Sequence, residues 1–468
     1  MKKKMIHINP TIKPLSVAII GMVLLGGCRL YKPYERPADA EALADSLYHP
    51  ASTEPDTTSL ARLGWSTLFT DPQLQALIDT ALYHNTDLAT ARLRVEAAEA
   101  QLQAAKLAFA PSVSASVEGG VKSLDGAKAS KTYTLALSAD WEIDAAGKLL
   151  NAKRGAQASL EAERAAQQAV QTQLVATVAN SYYTLLMLDR QLDITRRTAL
   201  TWQDYLRTMQ ALKRAGQTTE LAVAQTEASK LSTEATVVDL QRQISETENT
   251  LTALMGVAPG PVKRSTLEEQ QFPDTLATGL PVALLSQRPD VKEQEALLAS
   301  AYYATNVARA AFYPSITLSG SAGWTNAAGT AISNPGQWLL QAVGGLVQPL
   351  FNRGQIKADL KVAQAQQQQA LLSFRQSLLD AGTDVNNALV QWQSARRRIR
   401  LDSQQTTALQ KALRSAELLM RYTSQNYLEV ITARQSLLQA ELNVADDRFD
   451  EIQGVVNLYH ALGGGAQK

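Results

Sequence analysis

The second half of this chain repeats the first, and that repeat limits what it can build. Phe109-Ala110-Pro111-Ser112 recurs as Phe312-Tyr313-Pro314-Ser315, and Gly147-Lys148 recurs as Gly354-Gln355, about 207 positions on. At that spacing Asn180 meets Asn387, Arg214 meets Arg421, Leu221 meets Leu428, Leu251 meets Leu458 and Gly256 meets Gly463. The body is therefore two copies of one unit of about two hundred residues. A length of 468 residues would otherwise argue for about three domains. Composition opposes that count: aromatics are 6% of the chain, Ala and Gln are plentiful, and charges are scattered. Such sequence suits long helices better than three compact cores.

Each unit reads the same way. Asp71-Pro72 reads as a helix N-cap followed by proline at the first helical position. Residues 87–109 keep a helical period through Leu88, Ala91, Val95, Ala98, Leu102 and Ala105, and Pro111 stops it. The period then falls from 3.6 to 2. Val113, Ala115 and Val117 alternate with serines, and Tyr133, Leu135, Leu137, Ala139 and Trp141 alternate with Thr132, Thr134, Ser138 and Asp140. That pattern predicts a hairpin with one apolar and one polar face. The second unit gives Ile316, Leu318 and Trp324, then a loop, then a more weakly alternating run from Trp338 to Pro349. Next come two proline-free stretches, 148–213 and 355–420, each near 100 Å at 1.5 Å per residue as helix. Polar tips at 214–219 and 421–426 reverse the chain into returning helices that end at Met255-Gly256 and Leu462-Gly463. Val237, Leu240, Ile244, Leu251 and Leu254 fit a heptad seam.

The N-terminus predicts export and anchoring. Lys2, Lys3 and Lys4 precede an apolar stretch from Leu15 to Leu25, about eleven residues where a bilayer span needs roughly twenty. It ends Leu25-Gly26-Gly27-Cys28, and Cys28 is the only cysteine. Small residues before a cysteine are what lipoprotein processing requires, and several acyl chains on one residue anchor firmly. A lone cysteine also excludes an internal disulfide framework. The expected organisation is a signal peptide at 1–27, a lipid-anchored tether at 28–60, one repeat at 61–260, and a second repeat with the C-terminal tail at 261–468.

Four strands per chain cannot close a barrel, and open edges are not tolerated in lipid. Several chains contributing four strands each would resolve this. Two chains give eight strands, filled by side chains, while three give twelve, wide enough for a lumen. Tyr133, Trp141, Trp324 and Trp338 fall where membrane-interface aromatics belong. A water-filled duct continued by a helical tube is the function this geometry implies.

The same residues carry a resemblance. Leu25-Gly-Gly-Cys28, Ser286-Gln-Arg-Pro-Asp290, Ala308 through Ile316, Gln348-Pro-Leu-Phe-Asn-Arg-Gly354, Arg421-Tyr422 and Asn426-Tyr427-Leu428 stand in the order found in TolC-type outer-membrane factors. The chain is similar to the lipoprotein branch of that family over about residues 60–464. The resemblance implies a mainly α protein with a small β part and a homotrimer. It further implies a twelve-stranded transmembrane barrel continued by a periplasmic α-helical barrel. Implied partners are a periplasmic adaptor, an inner-membrane transporter of the proton-driven RND type, and outer-membrane lipid. At the helical tips it implies closure or adaptor contact by Arg214, Gly216, Gln217, Glu220, Arg421, Tyr422, Ser424, Tyr427 and Glu429. Related channels carry acidic residues just inside the tips, where this chain has Ala222 and Thr432, with Glu220 and Glu429 close by.

Other classes find little support. Near-balanced charge, formally +1, offers no concentrated basic face for nucleic acid. His7, His49, His84 and His460 are isolated, so metal-ligand spacing is missing. No nucleophile elbow, phosphate loop or dinucleotide fingerprint occurs. The expectation is a non-enzyme without cofactor beyond the covalent lipid on Cys28. Arg288-Pro289-Asp290 reads as a helix start, and Arg396-Arg397-Arg398 as a solvated helix face. Asn180 and Asn387 read either as inter-helix hydrogen bonds or as surface polarity, and Trp202 and Trp392 as packing residues. The alternative function is a non-conducting coiled-coil lipoprotein scaffold or adaptor, which would not need the alternating segments at 112–118, 131–141, 315–324 and 337–348.

Overall fold

A computed structural model of the chain describes residues 31–47, 63–123, 125–127, 129–272, 288–325, 337–422 and 427–464. The signal segment, Cys28, the second tip at Ser424 and the second-repeat counterpart of the Asp71-Pro72 helix start lie outside them, as does the side chain of Arg421.

The helices begin and end for local reasons. After α1 (Ala38–Asp45) and α2 (Trp65–Leu68), α3 spans Pro72–His84. The Asp71 carboxylate accepts the Gln73 amide at 2.9 Å, satisfying one otherwise orphaned donor. α4 (Thr86–Leu107) starts with Asn85 accepting from Leu88 N at 3.0 Å and stops before Pro111. α5 runs 67 residues, Lys148–Arg214, and Asp144 accepts the Leu149 and Leu150 amides at 3.0 and 2.8 Å. A carboxylate there also meets the positive end of the helix dipole. α6 (Glu220–Leu254) returns, and the second repeat supplies α7 (Pro289–Ala310), α8 (Gln355–Tyr422) and α9 (Tyr427–Ala461). Lys148 and Gln355 lie 207 positions apart, while Ser112 and Ser315, the first strand residues, lie 203 apart. The four extra residues of the second repeat fall between its two strands.

The strands are β1 (Ser112–Lys122), β2 (Ser130–Ile143), β3 (Ser315–Thr325) and β4 (Gln337–Val347). They form one antiparallel sheet in the order β1-β2-β3-β4, so β2 and β3 join the two repeats. At that junction Gly323 pairs with Ala136. A Cβ on Gly323 would fall 2.1 Å from the Leu135 carbonyl oxygen, so any larger residue would push the strands apart.

Two compact units emerge, and each draws on both repeats. One comprises Met1–Arg36, Val95–Glu163 and Gln294–Phe374 and carries the sheet; the other comprises Pro37–Arg94, Arg164–Glu293 and Arg375–Lys468 and is helical. In the sheet unit, the repeat appears as matched contacts. Trp141 Nε1 donates to the Phe109 carbonyl at 2.9 Å, and Gln348 Nε2 donates to the Phe312 carbonyl at 3.0 Å.

The helical unit is held by buried polar links around an apolar interior. Tyr182 Oη donates to Asp71 at 2.5 Å and accepts from Ser265 N at 3.0 Å, and Gln270 donates to the same carboxylate. Burial pushes the Asp71 pKa up, but the donors outweigh it and hold the group below its usual value. Arg264 bridges Asp189 on α5 and Glu248 on α6, each at 2.5 Å. Leu240, Ile244 and Leu251 of the expected heptad seam are buried. Asn180 donates to Asn457, Asn457 to Gln391 and Gln391 to Gln453, so Asn180 is an inter-helix link; Asn387 is exposed.

Residues 31–47, within the segment expected as a tether, make contacts in each unit. In the sheet unit, Tyr302 Oη donates to the Lys32 carbonyl, Tyr34 N donates to Tyr303 Oη, and Arg36 forks onto Glu295 with two bonds of 2.7 Å. In the helical unit, α1 buries Ala40 and Ala44, Asp39 pairs with Arg375, and Asn386 donates to the Leu47 carbonyl at 3.1 Å. An eight-residue helix is not stable alone, so packing sustains it. Alanines four apart were the overlooked signal.

Candidate functional site: a two-faced sheet and an exposed helical tip

The strand register sorts the sheet residues into two faces. Directly paired residues share a face. Val117, Leu135, Trp324 and Trp338 form one row, and Ala115, Leu137, Ala322 and Leu340 form the next. Trp141 and Leu318 pair further along, then Ile143, Ile316 and Leu346. The opposite face carries Ser114, Ser138, Ser321 and Gln341 in one row and Glu118, Thr134 and Thr325 in another. On that face Thr134 and Thr325 hydroxyls bond at 3.0 Å, and Ser319 donates to Asp140 at 2.7 Å. β4 is the exception, because Leu339, Val343 and Val347 fall on the polar side. Two apolar parities in one strand explain why its alternation reads weakly in the sequence.

Among the described residues, nothing covers most of the apolar face. Trp338 is 74% exposed and Leu340 85% exposed, and Val113, Val117 and Leu137 are exposed too. A contiguous apolar face of this kind needs an apolar surrounding. The expected interface aromatics lie toward its two ends. Trp324 and Trp338 pack with ring centroids 4.6 Å apart, Tyr133 is two residues beyond Leu135, and Trp141 lies near the helix end. From Tyr133 to Trp141 is about 26 Å along the strand, on the scale of a bilayer's apolar band. Among the described residues, β1 and β4 each keep one edge without a strand neighbour. Among the described residues no helix is long and apolar enough to cross a membrane.

In the helical unit the first tip is a tight reversal. Gly216 has φ +71°, its amide donates to the Lys213 carbonyl at 2.9 Å, and Gln217 N donates to the Leu212 carbonyl at 2.9 Å. This left-handed stop satisfies carbonyls that the helix end leaves open. Thr219 then caps α6 through Ala222 N at 3.2 Å, and Lys213 pairs with Glu220. Arg214, Gly216, Gln217 and Glu220 are exposed, as are Glu429 and, at 85%, Tyr422.

Beneath the tips lies one core shared by the two repeats. Trp202, Tyr205 and Met209 of α5 meet Ala222 and Val223 of α6, Ala416 of α8, and Val430 and Ile431 of α9, with Tyr427 and Met420 packed against them. Tyr427 therefore lies against this core, unlike the exposed Tyr422. Ala222 is fully buried, so an acidic side chain there would lack water, whereas Thr432 is exposed. Sequence reading missed Arg434. Its guanidinium pairs with Glu417 at 2.5 Å and lies 5.2 Å from the Tyr205 ring centroid and 6.0 Å from that of Trp202. An i,i+3 or heptad pattern cannot find a cation whose aromatic partners are over two hundred residues away.

Arg288-Pro289-Asp290 does open α7, and it does more. Arg288, 5% exposed, forks onto Asp290 and also donates to Asp384 at 3.0 Å and to the Ala461 carbonyl at 3.2 Å. Of the arginine run, Arg398 pairs with Asp447 at 2.9 Å, and Arg396 lies 5.0 Å from the Trp392 ring centroid.

Comparison with known proteins agrees with this geometry. The family described as outer membrane efflux protein matches residues 77–257 and 280–464. The probable outer membrane lipoprotein SilC of Salmonella typhimurium is 30% identical, over 97% of this chain and 99% of that protein. The pyoverdine export outer membrane protein OpmQ of Pseudomonas putida is 32% identical, over 89% of this chain and 92% of that protein. Among solved structures, the open state of the Neisseria gonorrhoeae MtrE outer membrane channel superposes with a TM-score of 0.83 at 29% identity, covering 94% of this chain and 99% of that one.

Proposed function

The chain belongs to the outer membrane efflux protein family, and on that premise we propose that it is the exit duct of a tripartite efflux pump, passing drugs or other small molecules out of the cell. The observation that carries this reading is the four-stranded sheet with one exposed apolar face, one polar face and, among the described residues, two edges without a strand neighbour. In a bilayer those edges must be closed, and a single chain cannot close them. Three copies supply twelve strands and a water-filled lumen lined by the serine and threonine face. The apolar face then meets lipid, with its aromatics at the interfaces.

The remaining parts follow. Cys28 carries the lipid anchor, in keeping with a relative named as a lipoprotein. The exposed tip residues Arg214, Gly216, Gln217, Glu220, Tyr422 and Glu429, with Arg421 and Ser424 beside them, close the periplasmic end or meet the adaptor. Tyr427 supports them from the core beneath. The partner across the periplasm is an adaptor protein bound to an inner-membrane transporter, and we assign that transporter to the proton-driven kind. A non-conducting helical scaffold leaves the two-faced sheet without a purpose.

Planar-bilayer recording of the lipidated protein tests the duct. Discrete conductance steps that lengthen or enlarge on Tyr422→Ala are expected. Silence from the wild type and from the Tyr422→Ala protein alike would contradict it.

A further inference from the structure

The second repeat enters its long helix differently from the first. At the repeat spacing, Glu142 and Asp144 meet Pro349 and Phe351, so two acids give way to uncharged residues. In the first repeat those acids are engaged locally: Asp144 caps α5, and Glu142 pairs with Lys148 at 3.0 Å. In the second, the segment before α8 carries an apolar pair, Leu350 and Phe351, 95% and 87% exposed. Directly after it come Arg353, Lys357 and Lys361, all exposed and none in an ion pair among the described residues. Lys357 and Lys361 stand one turn apart and share a face of α8. Ala363, toward the opposite side, is buried, and its carbonyl accepts from Thr305 of α7. The basic face is thus turned away from the chain's own packing.

A basic helix face alone is ordinary solvated surface. Leucine and phenylalanine bare beside it are not, because exposing them to water is unfavourable. Apolar and cationic residues in this order fit the border of a bilayer, where the acyl layer adjoins the phosphates. The level agrees. Leu346, in the last apolar row of the sheet, precedes Leu350 by one short connection. Lys361 lies about 9 Å along α8 from Gln355. A headgroup layer is roughly 5–8 Å deep on each side, within reach of a lysine that extends along its stem. The Tyr31 ring stands where a side chain on Gly147 would reach, at the head of α5. Cys28 precedes Tyr31 by three residues, a reach of at most about 11 Å, so the lipid anchor belongs near the same level.

We propose that Leu350, Phe351, Arg353, Lys357 and Lys361 form a docking surface for anionic phospholipid in the leaflet that faces the periplasm. Leu350 and Phe351 enter the acyl border, and the three cations receive headgroup phosphates. Arg353 can fork onto a phosphate, while the lysines act as point charges. Asp359, the one acid between residues 350 and 361, accepts from Gln355 at 2.7 Å and leaves the stretch net positive. A second copy of the chain is a poorer occupant. In a closed barrel its β1 would lie beside β4, and α4 leads into β1 through Lys106, a like charge. The surface rests on the duct reading, because it needs the sheet to sit in a bilayer.

The test uses the full-length lipidated protein carrying Phe351→Cys, labelled with bimane, since Cys28 is occupied by lipid. It is placed in equimolar vesicles of phosphatidylethanolamine and phosphatidylglycerol, with one or the other brominated on its acyl chains. Brominated phosphatidylglycerol is expected to quench several-fold more than brominated phosphatidylethanolamine, and added salt should shrink the difference. Replacing Arg353, Lys357 and Lys361 together by Gln should equalise the two lipids while quenching persists. Lys411→Gln, further along α8, should leave the preference intact. Leu350→Cys is the second labelling position if Phe351→Cys folds poorly. Equal quenching by both lipids without the triple replacement would overturn the proposal. So would quenching by neither, which would put protein against Phe351. Planar-bilayer recording of the same labelled protein separates the two readings. Conduction without lipid preference removes the docking surface and leaves the duct, whereas a protein that neither conducts nor inserts removes both.

Discussion

Arg288 stands almost wholly buried at the start of α7, with Asp290, Asp384 and the Ala461 carbonyl on its guanidinium. Arg288→Ala leaves a buried carbonyl without its donor and two carboxylates without their cation. Because both carboxylates are half exposed, the expected loss is about 2 kcal/mol, below that of a fully buried pair. Arg288→Lys should recover only part of it, since an ammonium cannot fork onto Asp290. Thermal melting of the three proteins side by side checks both statements. His460 lies beside this group, and burial first, then Arg288, lowers its pKa below the usual value. A histidine depressed by folding binds fewer protons folded than unfolded, so stability falls as pH drops below about 6.5. His460→Gln should flatten that acid-side loss, which a melting series across the same range would reveal. The helix start at Pro289 could be read from the sequence because it is local chemistry. The ion pairs could not, because Asp384 and Ala461 come from other helices, 96 and 173 residues away.

At the scale of elements, the sheet makes the sharpest prediction, because neighbouring residues on one strand face opposite ways. Leu137 lies on the apolar face midway between the aromatic ends, and Ser138 lies on the polar face. Leu137→Arg should cost about 2–4 kcal/mol of membrane insertion, while Ser138→Arg should be tolerated. Outer-membrane fractionation of the two variants separates these outcomes, and equal loss in both would contradict the assignment of faces. Strands β1, β2 and β3 were legible because each keeps one parity of apolar residues. β4 was read more weakly, since Leu339 and Val343 break the parity that Trp338 and Leu340 set. The long helices were legible from proline-free length and from glycine stops such as Gly216. The bound segment at residues 31–47 was not, because its composition reads as a tether while its contacts are with distant Tyr302, Tyr303, Glu295 and Arg375.

At the scale of the whole molecule, the account rests on closure. Four strands per chain, order β1-β2-β3-β4, leave an edge on β1 and another on β4, and lipid leaves no water to satisfy them. Repetition within the chain supplies two hairpins, and repetition of the chain must supply the rest. The need for several copies could be argued from sequence, because an open sheet with an apolar face is unfinished in any setting. The number three comes from what a lumen requires, since eight strands fill with their own side chains and twelve do not. Native mass spectrometry of the detergent-extracted, membrane-inserted protein counts the copies directly. The account predicts a particle of three chains, each heavier than its polypeptide by the acyl groups on Cys28. A particle of one or two chains, recovered from the outer membrane in inserted form, would contradict it.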